Sequence, residues 1–237
     1  MTQEDMLSAI KANGYWRVLI RPTQPVFEAR RIQDRTTALH LVDENKIMLR
    51  GWDYPHLDPA NQLVESDWIG SAIDWGAHKE YWRLYLSGQF IHYFAMMEDF
   101  HPVPWQSSAF PGGKPEKYME IISTLYTVTE VYEFAKRLTT KGALGPSAEI
   151  SITLSGTEGR VLVYWHIAER FLERNYVSAK RQISSTRIVS AAELTATSSQ
   201  LALNTTVDIF EQFNWLGPPI QLLEEDQKKL LERRRGI

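Results

Sequence analysis

Short blocks of apolar and aromatic residues, broken by turn residues, dominate the first half of the chain. One block covers residues 15–20, and three more cover residues 68–75, 80–86 and 89–97. The last two are separated by the pair Ser87-Gly88, where a glycine takes a positive φ at little cost. The pattern therefore predicts one early strand followed by an antiparallel meander of three strands.

The second half opens with a helical pattern. Apolar residues recur at spacings of three and four through 116–141, which predicts a long amphipathic helix. Two apolar runs, 148–154 and 160–166, follow on either side of a loop of hairpin length, so we expect them to pair with each other. Ser190 offers a side chain that can cap the first turn of a further helix.

The order of these elements predicts the fold class and the domain organisation. Runs of strands followed by helices favour an α+β fold of mostly antiparallel sheets flanked by helices. Residues 1–100 form an aromatic-rich, sheet-dominated half, and residues 116–237 form a half with the order helix, strand, helix. Between them, residues 101–115 are rich in proline and glycine, as in a linker or a long loop. Two sheet-plus-helix halves and one continuous domain both agree with this order.

Composition excludes some classes of function. The 237 residues contain no cysteine, which rules out disulfides, thiolate zinc sites, iron–sulfur clusters and a cysteine nucleophile. The net charge is only -3, so there is no bulk preference for nucleic acid or anionic lipid. We find neither a secretory signal nor an apolar run of membrane-spanning length, and we expect a cytoplasmic, soluble protein.

Aromatic residues are concentrated in the first half. Six of the eight tryptophans lie there, at Trp16, Trp52, Trp68, Trp75, Trp82 and Trp105. Rings of this size usually pack in the core, and the alternative is an aromatic-lined pocket or stacking surface.

The densest group of chemically active side chains lies at a predicted strand end. The strand covers residues 46–52, and the candidate ligand-binding residues at its end are Arg50, Trp52, Asp53, Tyr54 and His56. Binding groups often lie where a strand passes into a loop, because the scaffold is rigid there. The alternative is a structural turn. In that case Asp53 accepts hydrogen bonds from backbone amides, Arg50 pairs with a carboxylate, and Trp52 and Tyr54 are buried. If the group is functional, Arg50→Ala and Asp53→Ala should abolish activity and leave folding nearly unchanged.

The same segment carries a resemblance. Arg50-Gly51-Trp52 followed by Tyr54-Pro55, with the Ser-Gly-Gln-Phe run at 87–90, resembles a segment of uncharacterised bacterial proteins. The resemblance implies a bacterial source, and it brings no activity and no catalytic residues.

Histidines and carboxylates offer a metal site as an alternative. The candidate ligands are Asp53, His56, His92, Asp99 and His101, which would converge if the loops meet. Such ligands suit zinc, manganese or iron, and a metal-bound water would supply hydrolysis. No HExxH spacing occurs, and His92 also fits an ordinary strand position. Our first expectation is therefore no metal and no cofactor.

The other catalytic patterns are missing from the sequence. There is no GxSxG elbow, no Walker phosphate loop and no GxGxxG motif. The leading hypothesis is a non-catalytic module that binds a small molecule or a protein partner, as a homo-oligomer. The alternatives are a metal-dependent hydrolase or nuclease and, from scattered basic residues, a nucleic-acid-binding module. Whether the protein is an enzyme stays open.

Overall fold

A computed structural model describes residues 3–24, 31–101, 116–165, 170 and 172–232. Apart from His101, the predicted linker or long loop at 101–115 lies outside the described residues.

The strands within the described residues form two sheets. They are β1 (Tyr15–Pro22), β2 (Gln62–Val64), β3 (Trp68–Trp75), β4 (His78–Tyr85), β5 (Phe90–Ala95), β6 (Tyr118–Glu120), β7 (Ser147–Ser155), β8 (Val161–Val163) and β9 (Gln182–Ser190). Seven of them make an antiparallel sheet in the order β2-β3-β4-β5-β1-β7-β9. The other two, β6 and β8, pair in parallel. This arrangement confirms the predicted α+β class with mostly antiparallel pairing.

The helices within the described residues cover both faces of the large sheet. They are α1 (Gln3–Lys11), α2 (Arg35–Asn45), α3 (Ile121–Thr140), α4 (Ala191–Glu211) and α5 (Ile220–Glu232). On one face, α3 packs against the sheet through Phe134, whose ring centroid lies 4.9 Å from that of Phe90 in β5. On the other face, α1 buries Met6 and Ile10 against Tyr81 of β4. None of these helices is long and apolar enough to cross a membrane.

The large sheet draws its strands from both predicted halves. β1, from the first half, lies between β5 of the same half and β7 of the second. Its alternate residues Trp16, Val18 and Ile20 are buried, because successive side chains of a strand point to opposite faces. The largest core cluster likewise contains residues of both halves.

Two local predictions were wrong. Residues 46–52 do not form a strand, and only an isolated bridge joins Ile47 to Tyr54. The runs at 148–154 and 160–166 do not pair with each other: β7 lies between β1 and β9, and β8 pairs with β6. Although a short loop joins β7 to β8, each of the two strands therefore pairs with strands that are more distant in the sequence.

Other local predictions were confirmed with shifted bounds. The meander is present as β3, β4 and β5, with Gly88 at φ 89° in the predicted turn. The long helix begins at Ile121 rather than near residue 116, because residues 118–120 form β6. Ser190 caps α4, and its side chain accepts a hydrogen bond from the backbone N–H of Glu193 at 3.1 Å.

Candidate metal centre

Strand β4 places two potential metal ligands on the same face of the sheet. His78 and Glu80 are two residues apart, so their side chains point to the same side of the strand. Trp75 lies opposite His78, and Glu80 lies between Ile73 of β3 and Phe94 of β5. Glu80 is thus a carboxylate on the same sheet face as Trp82 and His92, and it is only 2% exposed.

A loop brings His56 onto this face. Tyr54 and Ile47 exchange two backbone hydrogen bonds of 2.8 Å, which close the loop between them. After a cis Tyr54-Pro55 peptide bond, the backbone N–H of His56 donates to Glu80 Oε1 at 2.9 Å. The carbonyl oxygen of His56 accepts from the indole N–H of the buried Trp82 at 2.7 Å. Strand β4 therefore supplies both groups that fix the backbone of His56.

The side chains of His56, His78 and Glu80 converge on one point. His56 Nδ1 lies 2.8 Å from Glu80 Oε2, and His78 Nε2 lies 2.9 Å from the same oxygen. An ionised carboxylate only accepts hydrogen bonds, so both of these imidazole nitrogens carry the proton in the metal-free protein. The imidazole rings of the two histidines are 4.3 Å apart between centroids.

The electrostatics favour an ionised Glu80. Burial acts to raise the pKa of Glu80, but the contacts with His56, His78 and His92 outweigh it and hold the pKa well below its ordinary value. The carboxylate is therefore negatively charged at neutral pH, inside a cluster of imidazoles. A buried carboxylate surrounded by imidazole nitrogens is a set of ligands that suits a divalent cation.

A third imidazole lies deeper in the same cluster. His92 of β5 is 1% exposed, and its Nε2 is 3.7 Å from Glu80 Oε2. This nitrogen is buried, and it has no hydrogen-bond partner among the residues that the structure describes. The other ring nitrogen, Nδ1, lies 3.4 Å from the hydroxyl oxygen of Tyr54. Burial lowers the pKa of His92, so the ring is in the neutral form that binds metals.

Two of the three distances between the converging atoms match the ligand spacing around a transition metal. Metal–ligand bonds of about 2.0 to 2.1 Å, at tetrahedral or right angles, place neighbouring ligand atoms about 2.8 to 3.4 Å apart. The two distances to Glu80 Oε2, 2.8 and 2.9 Å, lie in this range. One atom each of His56, His78 and Glu80 lies within 4.8 Å of the others. A cation there would replace the two N–H hydrogens, and each ring would carry its proton on the outer nitrogen.

The predicted ligand-binding residues other than His56 are largely engaged with the rest of the chain. Arg50 donates to the carboxylate of Glu130 in α3 through Nε, at 3.1 Å, and through Nη2. Asp53 pairs with Lys46 at 3.1 Å. Tyr54 is 5% exposed, whereas Trp52 is 44% exposed and stacks on Arg50, whose Cζ lies 5.1 Å from the ring centroid.

Two of the five predicted metal ligands lie near Glu80, and the other three lie elsewhere. His56 and His92 both lie near Glu80, a carboxylate that the alternative hypothesis did not include. Asp99 instead accepts hydrogen bonds from the backbone N–H of Gly14 and from Arg160 Nη2, both at 2.6 Å. His101 lies beside Trp165, with ring centroids 6.1 Å apart. Asp53, paired with Lys46, is likewise not among the converging atoms.

Sequence reasoning missed His78 and Glu80. His78 was assigned to the turn between two strands of the meander, although it is the first residue of β4. The available signal was the spacing His-x-Glu at the start of a strand, which places an imidazole and a carboxylate on one face. His56 lies in a loop, and the two side chains it meets, His78 and Glu80, lie on β4 of the large sheet.

No protein family, no curated protein and no solved structure gives a significant match to this chain.

Proposed function

We propose that this chain binds a divalent transition-metal ion at His56, His78 and Glu80 and acts as a metal-dependent hydrolase. The observation that carries the proposal is the convergence of two imidazole nitrogens on one buried carboxylate oxygen, at 2.8 and 2.9 Å. Nitrogen and oxygen ligands of this kind suit zinc, iron and manganese.

Three protein ligands support a catalytic use of the metal. Structural zinc sites are usually closed by four protein ligands, whereas catalytic sites keep a position open for water or substrate. The side chains of His56 and His78 are 12% and 25% exposed, so the cluster is reached from solvent on their side. A metal held there lowers the pKa of a bound water towards neutrality and polarises a carbonyl or phosphoryl oxygen.

One observation favours a second candidate, a non-catalytic metal-binding protein. Within the described part of the chain, the buried His92 Nε2 has no hydrogen-bond partner, and it lies 3.7 Å from Glu80 Oε2. A small shift of the cation towards β5 would make His92 a fourth ligand and close the site. This candidate agrees with the binding-module hypothesis drawn from the sequence.

Zinc binding tests both candidates. Protein treated with a chelator and dialysed is titrated with zinc chloride in a calorimeter, as wild type and as His78→Ala, Glu80→Gln and His40→Ala. The last is a matched control, because His40 is an exposed histidine of α2. We expect one zinc per chain in the wild type and the control. Loss of an outer partner of a metal ligand costs about 10- to 100-fold in affinity, so loss of a direct ligand should cost at least about 100-fold.

Cobalt separates the two candidates. A tetrahedral Co²⁺ ion absorbs in the visible range whether its fourth ligand is a water or a histidine, so the dependence of the spectrum on His92 is the quantity that separates the candidates. A spectrum that His92→Ala leaves unchanged supports the hydrolase, and so does chelator-sensitive cleavage of aryl esters or phosphoesters that His78→Ala abolishes. A spectrum that His92→Ala shifts or weakens, without cleavage, supports the binding protein. Absence of stoichiometric metal binding in the wild type would refute both candidates.

A further inference from the structure

Exposure increases in one direction across the metal cluster. The side chain of Glu80 is 2% exposed, that of His56 is 12% and that of His78 is 25% exposed. Beyond them stands Trp75, which is 56% exposed. The open side of the cluster, from which a ligand would reach the cation, is therefore bordered by an indole ring.

Trp75 is held in place against both histidines. It ends β3 directly opposite His78, the first residue of β4, on the same face of the sheet. Its ring meets His56 edge to face, with centroids 5.3 Å apart and planes at 89°. It lies 5.8 Å from the ring of His78, with planes at 32°. The indole of Trp75 contacts both histidines and is still more than half exposed. It therefore presents a flat apolar surface beside the cluster.

The charged neighbours of Trp75 and His78 in the chain do not lie beside the indole ring. Because side chains alternate along a strand, Asp74 and Lys79 lie on the opposite face of the sheet, where they form an ion pair with each other. The exposed apolar ring of Trp75 therefore borders the approach to the cluster.

From this geometry we propose that Trp75 is the platform for an uncharged aromatic group of the substrate, attached next to the group that reaches the metal. The proposal rests on the metal site of the proposed function. Aromatic rings prefer to pack against each other offset or edge to face. The exposed indole of Trp75 can make such a contact with a substrate ring, and it loses little conformational freedom in doing so.

Two hydroxamic acids test the proposal. Acetohydroxamic and benzohydroxamic acid bind a metal through the same two oxygens and differ only in a methyl or a phenyl group. Their affinities are measured on the zinc-loaded wild type, Trp75→Ala, Trp75→Phe and Trp52→Ala. Trp52 is the matched control, because it is also exposed but stacks on Arg50. Zinc affinity is measured for every variant.

The preference for the phenyl compound is the decisive quantity. A favourable aromatic contact corresponds to about a three- to tenfold preference. We expect that preference in the wild type, in Trp52→Ala and, in part, in Trp75→Phe. Trp75→Ala should lose it and keep its zinc affinity. If Trp75→Ala fails to bind zinc, Trp75→Phe and Trp52→Ala decide, and the proposal then requires a reduced preference in Trp75→Phe alone.

Three results would overturn the assignment of Trp75: no phenyl preference in the wild type, an unchanged preference in Trp75→Ala, or an equal loss in Trp52→Ala. Each leaves the metal site intact. A wild type that does not bind zinc refutes the proposed function itself, so the two failures are distinguishable.

Discussion

The proposed metal centre makes the stability of the fold depend on zinc. Its ligands come from strand β4 and from the loop around His56, which is separated from Glu80 by 24 positions in the chain. Unfolding separates these segments, so the unfolded chain has no preformed site, and zinc stabilises the folded state by mass action. The perturbation we consider first is the addition of zinc to the metal-free protein.

The expected magnitude follows from the linkage relation. At a free zinc concentration 100 times the dissociation constant, a ligand specific for the folded state adds about 2.7 kcal/mol to the free energy of unfolding. For a chain of this size, each kcal/mol raises the melting temperature by about 2 to 4 °C, so we expect a shift of about 5 to 11 °C. Any zinc binding by histidines of the unfolded chain would reduce this value.

Thermal unfolding followed by circular dichroism measures the shift. Metal-free wild type, Glu80→Gln and His40→Ala are heated with and without zinc, and an excess of chelator is added at the end to test reversal. The wild type and His40→Ala should show the shift, and Glu80→Gln should not. An equal shift in Glu80→Gln, or no shift in the wild type at saturating zinc, would refute the reasoning.

Three further expectations concern residues outside the metal centre. Arg50→Ala leaves the fully buried Glu130 side chain without its ion pair. It should therefore lower the free energy of unfolding, measured by urea titration, by about 3 to 5 kcal/mol, whereas Asp53→Ala should lower it by less than about 1 kcal/mol. Equal small losses in the two variants would contradict the structural role of Arg50. Ser190→Ala removes the cap of α4 and should cost about 1 kcal/mol, measured in the same way, and an unchanged unfolding midpoint would count against the cap. Burial raises the pKa of Glu98, so its carboxyl favours the protonated form when folded, and the protein should lose stability as pH rises through that pKa. Glu98→Gln should therefore be more stable than the wild type at pH 8 and lose this advantage towards pH 4, and a gap that widens in acid would have the wrong sign.

Local patterns were sufficient to predict much of the sheet. Strands β3, β4 and β5 are apolar blocks separated by short turns. Each strand therefore pairs with the next one along the chain. The same holds for the cap at Ser190, whose hydrogen bond spans three residues. Such elements can be predicted because the interactions that stabilise them lie within a few residues of each other.

Pairing across long distances could not be predicted in this way. The loop at 155–159 has hairpin length, yet β7 pairs with β1, more than a hundred residues earlier, and with β9. A central position between two strands gives β7 partners on both edges, which a simple hairpin with β8 would not. The sequence contains no local signal for that choice.

The candidate site was predictable only in part, for the same reason. His56 stood out because it lies in a dense group of polar and aromatic residues. Two members of that group, Arg50 and Asp53, instead form ion pairs with Glu130 and Lys46 outside it. Its real partners, His78 and Glu80, lie on another element and carry no recognised motif. Only the folded sheet brings the imidazole of His56 to the carboxylate.

The geometry of the proposed metal centre depends on the register of one hairpin. Trp75 lies opposite His78, and between them Gly76 adopts a φ of 73°, which favours glycine. Because side chains alternate along a strand, a slip of one residue in β4 would turn His78 and Glu80 to the face that α1 covers. His56 would then lose both the carboxylate that holds its backbone and the imidazole beside it. The turn at Gly76 thus decides on which face of the sheet His78 and Glu80 lie, although it supplies no ligand to the site.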